Sequence, residues 1–514
     1  MSLLIYFLVF EKDSAIESFT GKQFYLILPG NGFWLLRDDI PAEQRKGWKE
    51  MIYSKVIMAD TLTPVSVYQK VSADSERAFL LESVEKGERQ GRYSFIGVDP
   101  EGSFTGSLRE LRSEFRKDQK APLDLPPFTG GAVGFFNYEM IHEFEEIRGL
   151  STEFASAQMD FYPTILAFDH LRHRIIVMSH ISSARVQDVT DKLVSPGQGP
   201  GSLNLLLTSD ELEAVLSHSR EAGLKELQGY SDFTPEEFGG AVRGAKEYIF
   251  AGDIFQVVLS QSFTRQYRGD PFNVYRILRY LNPSPYMFFL KQGSLCLAGA
   301  SPEMLVQVLG NDLEYRPIAG TRKRGLDRAE DELMAEELMA DEKEKAEHLM
   351  LVDLGRNDLG RISEYGQVKV EEFMRLERYS HVMHLVSSLR GRLRSDRDRF
   401  DALSSCFPAG TVSGAPKIRA MEIIQELEKS PRGFYAGAAG YIDYSGNLDT
   451  CISIRTIMMR DGKANFRAGA GIVADSVPEK ENLECLNKAS VLNQALTMAG
   501  RFNSIDQLNG RRGY

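Results

Sequence analysis

The chain has 514 residues, of which 43% are hydrophobic and 26% are charged, and its net charge is −11. This composition is typical of a globular protein and excludes a disordered chain or an integral membrane protein. The acid excess and the scattered basic residues exclude nucleic acid as the main partner, because phosphates would be repelled. The four cysteines show no C-x-x-C spacing, which favours a reducing compartment, and we expect a cytoplasmic protein.

The first 57 residues carry no motif, and the segment after them reads as a new start. The apolar opening MSLLIYFLVF lacks a basic flank and is shorter than the roughly 20 residues that span a bilayer. We therefore expect no signal peptide and no membrane contact. We predict that residues 1–57 are an extension of unknown role and that Met58 is the natural start.

Strand-like runs dominate residues 58–205, whereas helices and strands mix in residues 225–505, and we predict these as the two main parts of the chain. A stretch rich in Gly, Pro and Ser at 194–204 predicts an exposed loop between them. In the second part the periodicity predicts helices at 329–354, 415–429 and 478–499, and strands at 257–263, 295–299, 380–389, 450–459 and 464–468. Because these elements do not alternate strictly, we expect an α+β fold with antiparallel sheets.

Two E-x-x-E pairs, Glu344 with Glu347 and Glu481 with Glu484, lie in segments that are both predicted to be helices. Each pair borders an apolar stripe, so its carboxylates can face a cleft. Carboxylate oxygens are the ligands that Mg²⁺ prefers in proteins. The same spacing is typical of a solvated helix face, and Glu484 with Lys488 has the spacing of a surface ion pair. Spacing alone leaves both interpretations open.

Four further segments place polar groups among apolar or small residues. Thr411 precedes a predicted helix start, where it is either a cap or part of an anion site. Arg455 lies in the predicted strand CISIRTIMM and needs an anion, either an internal carboxylate or a bound one. The run Gly469–Gly471 can expose backbone donors, and His384 alternates with valines, a pattern more typical of a core histidine than of a catalytic one.

Several catalytic motifs are absent from the sequence. It contains no Walker A loop, no G-x-G-x-x-G after a strand, no G-x-S-x-G elbow and no H-E-x-x-H. These absences disfavour nucleotide binding, hydride transfer and serine hydrolysis.

A series of longer motifs runs through most of the chain. In order they include GDIFQVVLSQ, NPSPYMFFL, LAGASPEML, RPIAGTRKRG, EHLMLVDLGRNDLGRI, FPAGTVSGAPKIRAMEII and AGAGIVADSVPEKE. From about residue 60 to 500 the chain resembles the chorismate-utilising enzymes, and among them the anthranilate synthase component I group. The resemblance implies an α+β fold in which two large antiparallel β-sheets pack together with helices outside.

The resemblance also implies a role for individual residues. The implied Mg²⁺ site consists of Glu344, Glu347, Glu481 and Glu484, of which Glu347 and Glu484 bind directly and the others through water. The implied contacts to chorismate come from Tyr435, Arg455, Gly469, Ala470, Gly471 and Lys488. His384 and Thr411 are implied to flank the ring, with His384 as the candidate general base or acid.

Two positions discriminate between the reactions of this group. Isochorismate- and salicylate-forming relatives have a Lys where this chain has Gln256, and a Gln cannot deprotonate water. Many aminodeoxychorismate synthases carry a nucleophilic Lys where this chain has the inert Ala319. We therefore expect ammonia to add at C2 and loss of pyruvate to give anthranilate. Aminodeoxychorismate synthase, a homologue that stops at the aminated intermediate, and a non-catalytic amino-acid-binding homologue remain as alternatives.

The resemblance has two further implications, for the ammonia source and for regulation. None of the cysteines lies in a glycine-flanked nucleophile elbow, so we expect a separate glutamine amidotransferase subunit and a hetero-oligomer. The segments LLES and NPSPYM resemble a tryptophan-binding site. Its implied residues are Leu81, Glu82, Ser83, Pro285, Tyr286 and Met287, and we expect feedback inhibition by tryptophan.

Overall fold

The computed structural model describes residues 52–83, 91–115, 124–151, 153–195, 220–379 and 382–510. The strands are β1 Tyr53–Met58, β2 Arg77–Glu82, β3 Tyr93–Val98, β4 Gly102–Gly106, β5 Gly131–Phe136, β6 Ala157–Tyr162, β7 Thr164–Asp169, β8 Arg174–Ser179, β9 Gln256–Gln266, β10 Tyr286–Gln292, β11 Leu295–Ser301, β12 Met304–Leu309, β13 Asp312–Tyr315, β14 Ile318–Lys323, β15 Lys369–Arg378, β16 Val382–Arg392, β17 Gly414–Ala415, β18 Ala438–Asp443, β19 Leu448–Ile452, β20 Thr456–Arg460 and β21 Lys463–Ile472. The helices are α1 Pro64–Val71, α2 Leu108–Glu114, α3 Ser183–Val194, α4 Arg220–Gln228, α5 Pro235–Ala251, α6 Pro271–Leu281, α7 Arg328–Ala340, α8 Glu342–Gly360, α9 Arg399–Cys406, α10 Lys417–Leu427 and α11 Pro478–Gly510.

These strands form two large sheets with antiparallel pairing. Sheet one has the order β1-β8-β7-β3-β2-β10-β11-β20-β21-β9-β17. Sheet two has the order β14-β16-β13-β12-β19-β18-β5-β6-β4, and β15 pairs with β16. The predicted α+β fold is confirmed. Both predicted parts of the chain contribute strands to both sheets, since β2 pairs with β10 in sheet one and β5 pairs with β18 in sheet two.

The core is layered, because the strands in the middle of each sheet are apolar on both faces. In β2, Phe79 points into the layer between the sheets, whereas Leu80 points to the helices that cover sheet one. In β5, Phe135 lies in the same central layer, whereas Phe136 packs under the helices of sheet two. Each fully buried side chain of this size stabilises the fold by about 2–3 kcal/mol. The two sheets are therefore joined through a continuous apolar interior.

The predicted strand at 450–459 is wrong, because it is two strands in different sheets. β19 belongs to sheet two and ends at Ile452, and β20 belongs to sheet one and begins at Thr456. The chain crosses between the sheets at 453–455, where Arg455 has a φ of 49° that no strand can continue. Arg455 therefore lies in the crossover and not inside a strand. Apolar and polar residues alternate on both sides of the crossover. The alternation in the sequence therefore gave no sign that the segment divides into two strands.

The predicted helix at 329–354 is also divided. α7 ends at Ala340, and Asp341 starts α8 by accepting hydrogen bonds from the backbone N–H groups of Lys343 and Glu344 at 3.0 and 3.2 Å. This N-cap satisfies donors that a new helix leaves unpaired. The break gives α8 its own direction and puts Glu344 and Glu347 in its first two turns.

The structure describes only part of two predicted segments, the loop at 194–204 and the extension at 1–57. The predicted loop at 194–204 lies outside the described residues from 196 onward, and residues 1–51 of the predicted extension lie outside them entirely. The boundary at residue 57 falls inside β1, which pairs with β8 along its full length. Among the described helices, none has an apolar stretch long enough to cross a membrane.

The position of β1 generates a prediction about truncation. A chain that begins at Met58 loses the side chains of Tyr53 and Ile57, which pack against the helix-covered core of sheet one, and leaves β8 as an open edge. We expect its free energy of unfolding to be about 2 kcal/mol lower than that of a chain that begins at Ile52, because two partly buried side chains are lost. Urea denaturation of the two truncated proteins measures the difference. Equal midpoints would contradict the prediction and favour Met58 as the start.

Candidate active site

The two acidic pairs approach each other from different helices. Glu344 and Glu347 lie near the start of α8, and Glu481 and Glu484 lie near the start of α11. Burial raises the pKa of Glu347 above its ordinary value, and the charges of Glu344 and Glu484 raise it further. Burial also raises the pKa of Glu481, with a smaller contribution from Glu484. The structure thus brings carboxylates that are more than 130 residues apart in sequence within electrostatic reach.

Basic and amide side chains hold three of these carboxylates. Arg322 donates to Glu344 at 3.2 Å, Lys488 lies 2.7 Å from Glu484, and Gln256 donates to Glu347 at 3.1 Å. Within the described ranges no three acidic, histidine or cysteine side chains are grouped closely enough to hold a metal ion. The donor set, which consists of carboxylate oxygens whose mutual repulsion is only partly relieved, nevertheless suits a hard divalent cation. Binding such a cation requires the Arg322 and Lys488 contacts to loosen.

Strand β21 supplies one wall of the site. A Cβ on Gly471 would lie 2.8 Å from Gln256 Nε2, and a Cβ on Gly469 would lie 2.8 Å from the hydroxyl of Tyr435. Lys488 Nζ also donates to the carbonyl oxygen of Gly469 at 3.0 Å. Three predicted site residues, Gln256, Tyr435 and Lys488, thus converge on this wall, and at Gly469 the backbone carbonyl oxygen of Leu259 also leaves no room for a side chain. The side chain of Ala470, between the two glycines, instead packs into the core, which leaves only its backbone for a ligand.

The small-residue loop before α10 is pressed against this wall. Gly414 has a φ of 143° and pairs with Val257 of β9, at a distance where a side chain would overlap the carbonyl oxygen of Gln256. At Gly410 a Cβ would collide with Leu354 of α8. The loop therefore fits between α8 and β9, and it presents Thr411 toward the interior.

Glu303, which the sequence analysis did not single out, is the partner of Thr411. The hydroxyl of Thr411 donates to Glu303 Oε2 at 3.1 Å, and the Glu303 side chain is buried. Burial raises the pKa of Glu303 to about 8, against the smaller opposing effects of the hydrogen bonds from Thr411 and from the Ile318 N–H. The carboxyl group is therefore protonated at neutral pH and can donate a proton. A lone acid in the apolar run LAGASPEMLVQVL was the signal in the sequence.

His384 lies on β16 beside the stretch PIAGT. Its Nδ1 is 3.0 Å from the carbonyl oxygen of Gly320 and 3.1 Å from the hydroxyl of Thr321. Because a carbonyl oxygen only accepts, Nδ1 carries the hydrogen and Nε2 carries the free lone pair. Burial lowers the pKa of His384, and the charge of Arg455 lowers it further. The imidazole is thus neutral at pH 7, which suits a base better than an acid.

Arg455 is a partly buried guanidinium with a neutral partner. Its Nη1 donates to Oδ1 of Asn282 at 2.8 Å, and desolvation lowers its pKa. No carboxylate within the described ranges forms an ion pair with it. A cation that is partly removed from water carries a desolvation cost, which an approaching anion offsets. Of the two alternatives that the sequence left open, the structure thus provides no internal carboxylate.

A buried ion-pair network behind the site was also missed from the sequence. Arg432 donates to Glu428 at 2.6 Å, and the same guanidinium donates to the carbonyl oxygens of Val412 and Val258, both at 2.7 Å. Arg467 donates to the other oxygen of Glu428 at 3.1 Å. The network ties the loop that carries Thr411 to β9. A Glu and an Arg four residues apart look like a surface pair in sequence, so their burial was not foreseeable.

A second cavity, of about 230 Å³, lies between the two sheets. All six residues that the resemblance assigned to tryptophan line it, namely Leu81, Glu82, Ser83, Pro285, Tyr286 and Met287. In sheet one, Glu82 of β2 pairs directly with Met287 of β10. The wall formed by sheet two includes Asp449, which accepts a hydrogen bond from the hydroxyl of Tyr286 at 3.1 Å. The cavity is therefore lined mostly by apolar groups, with a few polar groups among them.

Comparisons with known proteins agree with this architecture. Residues 76–494 match the profile of the chorismate binding enzyme family. The chain is 45% identical to anthranilate synthase component 1 of Acetivibrio thermocellus over 86% of this chain and 94% of the relative, and 44% identical to that of Thermus thermophilus over 87% and 98%.

Solved structures give the same result. Anthranilate synthase component I of Streptococcus pneumoniae superposes with a TM-score of 0.68 at 34% identity, covering 85% of this chain and 99% of that one. The menaquinone-specific isochorismate synthase of Escherichia coli shares the fold, with a TM-score of 0.66 at 20% identity over 87% of this chain and 95% of that one. The chain therefore belongs to the chorismate binding enzyme family, in the group of the anthranilate synthase component 1 proteins.

Proposed function

We propose that this chain catalyses the Mg²⁺-dependent amination of chorismate at C2 with ammonia, followed by loss of pyruvate to give anthranilate. The observation that carries the proposal is the hydrogen bond from Gln256 to Glu347, 3.1 Å long. A water-activating enzyme of this group would need a lysine at position 256. The hydrogen bond places the Gln256 side chain that is present instead directly against the first acidic pair. An amide at this position can orient an incoming ammonia molecule but cannot deprotonate water.

The charges of the site match a dianionic substrate. Arg455 would bind one carboxylate, because it is a partly buried cation whose described hydrogen-bond partner is only an amide. The backbone of Gly469–Gly471 would add donors beside it. Glu344, Glu347, Glu481 and Glu484 would hold Mg²⁺, which when bound neutralises their repulsion and polarises the second carboxylate as a Lewis acid.

Two side chains are suited to the proton movements. Protonated Glu303 would give its proton to the C4 hydroxyl as that group leaves, since its burial keeps it neutral at pH 7. His384 would accept a proton at Nε2 when the ring becomes aromatic, since its Nδ1 is already held by Gly320. Thr411 would keep the Glu303 carboxyl directed at the ring.

The ammonia and the regulation involve further partners. The curated relatives are named as component 1, and we infer that a separate glutamine amidotransferase component delivers ammonia to this chain in a hetero-oligomer. We also infer that the cavity between the sheets binds tryptophan and inhibits the enzyme. Its size, its apolar interior and the buried hydroxyl of Ser83, which has no hydrogen-bond partner among the described residues, support an amino-acid ligand.

The reaction is tested by mixing the protein with chorismate, MgCl₂ and a high concentration of ammonium at a pH of about 7.5, where Glu303 is still protonated. We expect the blue fluorescence of anthranilate to appear with no second enzyme, because C2 amination and pyruvate loss occur in one site. Fluorescence that appears at the same rate in samples lacking magnesium would contradict the proposal. An aminated product that releases an aromatic amine only after a lyase is added would indicate an aminodeoxychorismate synthase.

Charge removal tests the metal site. Glu347→Gln and Glu484→Gln should each lower turnover about 100-fold or more, because each removes a charge that the cation needs. Glu342→Gln, on the same helix but exposed and paired with Lys345, is the matched control and should keep activity. Thermal unfolding with and without MgCl₂ gives a second measurement. Magnesium should raise the melting temperature of the wild type and the control but not of the two variants, and retained stabilisation in both would refute the assignment.

The raised pKa of Glu303 predicts the pH dependence of the reaction. The wild-type kcat/KM should fall as the pH rises through about 8, because the proton donor is then ionised. Thr411→Val should shift this fall to higher pH, since the Thr411 hydrogen bond lowers the pKa of Glu303. Glu303→Gln should lower turnover about 10²–10⁴-fold. The pH profiles of kcat/KM are measured at a fixed concentration of un-ionised ammonia. If the fall lies at the same pH in Thr411→Val as in the wild type and Glu303→Gln remains active, Glu303 is not the proton donor.

A further inference from the structure

Helix α6 contacts both the cavity and the catalytic site. From its inner face, Arg279 donates to both oxygens of Glu82 at 3.0 and 3.3 Å, and the hydroxyl of Tyr275 donates to the same carboxylate. Glu82 lines the cavity between the sheets. At its C-terminal end, α6 is capped by Asn282, whose Oδ1 accepts the 2.8 Å hydrogen bond from Arg455. One rigid element thus connects a cavity-lining carboxylate with the candidate carboxylate-binding arginine.

The turn after α6 holds the Asn282 amide in one orientation. The backbone N–H of Asn282 donates to Leu278 at 2.8 Å and ends the helix. Its Nδ2 donates to the hydroxyl of Ser284 at 3.2 Å, and that hydroxyl donates back to the Asn282 carbonyl oxygen at 3.1 Å. With Nδ2 engaged by Ser284, Oδ1 is left to face Arg455. The next residues along the chain, Pro285–Met287, line the cavity.

A second chain segment connects the same two sites from the side of sheet two. Asp449 lines the cavity, and β19 runs from it to the crossover where Arg455 takes its left-handed conformation. The Arg455 carbonyl oxygen accepts from the N–H of Ala300 at 3.1 Å, which anchors the crossover to β11. The hydrogen bond from Tyr286 to Asp449 joins the two segments at the cavity, and the hydrogen bond from Arg455 to Asn282 joins them at the catalytic site.

We propose that Asn282 is a positioning residue for Arg455 and that occupancy of the cavity acts on catalysis through this hydrogen bond. The coupling rests on the proposed function of the cavity as an amino-acid site. A ligand that inserts between Glu82, Tyr286 and Asp449 separates the two segments that these residues belong to. Because hydrogen bonds weaken steeply beyond about 3.2 Å, a displacement of the Asn282 turn by about 1 Å releases the guanidinium. The ligand then lowers affinity for the anionic substrate without touching it.

The test compares Asn282→Ala with the wild type and with Asn273→Ala. Asn273 lies on helix α6, is more buried than Asn282 and also accepts from an arginine, Arg276, at 3.3 Å, but it lines neither site. Each protein is assayed for the KM and kcat of chorismate with saturating ammonium, for tryptophan binding by calorimetry, and for inhibition at saturating tryptophan. Circular dichroism verifies folding, and Asn282→Leu, which keeps the branching at Cγ but cannot accept a hydrogen bond, replaces Asn282→Ala if the latter does not fold.

The expected result is specific to Asn282. Its variants should raise the KM for chorismate about 10-fold or more with a smaller change in kcat, because a hydrogen bond to a charged group is lost. They should still bind tryptophan within about twofold of the wild-type affinity, yet tryptophan should raise their KM no further. Asn273→Ala should keep the wild-type KM and the wild-type inhibition.

Three outcomes would overturn the inference in distinguishable ways. An unchanged KM in the Asn282 variants would exclude the positioning role. A raised KM with inhibition as strong as in the wild type would exclude the coupling. If the wild type itself binds no tryptophan, the proposed function of the cavity fails and the coupling fails with it, whereas the KM of the variants still decides whether Asn282 positions Arg455.

Discussion

Arg455 is the constraint on which the rest of the structure depends. A guanidinium that is partly removed from water without a carboxylate carries a desolvation cost, and its place is determined by the surrounding groups. Here the crossover between the sheets forces Arg455 into a left-handed backbone conformation, and Asn282 holds its side chain with a neutral amide. A neutral partner keeps the positive charge available, whereas an internal carboxylate would have cancelled it. The site is therefore prepared for an anion before the anion arrives.

The acidic half of the site gathers negative charge, in contrast to the single cation at Arg455. Four carboxylates from α8 and α11 lie within electrostatic reach of one another, and burial together with the neighbouring acidic charges raises the pKa of Glu347 and of Glu481. Arg322 and Lys488 relieve part of this repulsion. Both counterions are on flexible side chains that are partly exposed, so they can be displaced at low cost. The protein thus stores negative charge at one end of the site and positive charge at the other. A substrate with two carboxylates matches this separation only if a cation joins the acidic end.

The two sheets explain why one chain carries both a catalytic site and a second cavity. Sheet one supplies Glu82 and Tyr286, sheet two supplies Asp449, and the crossover between them carries Arg455. The boundary between the sheets is therefore shared by both sites. Under the proposed regulation, a ligand at this boundary would change how the sheets pack, because tightly packed interfaces switch between discrete arrangements rather than deform gradually.

The sequence by itself determined the chemistry of the residues and the class of fold. Acid pairs at helical spacing, the small-residue loop around Thr411 and Gln256 in place of a lysine are local patterns, and local patterns survive in the order of residues. Only the tertiary structure decided the position of Arg455 in a crossover, its pairing with Asn282 and the proton held by Glu303. Each of these depends on contacts between residues more than 100 positions apart, such as the Arg455–Asn282 and Thr411–Glu303 hydrogen bonds. Periodicity reports which residues are apolar, but it does not report which sheet a strand joins or which polar group ends up buried beside another.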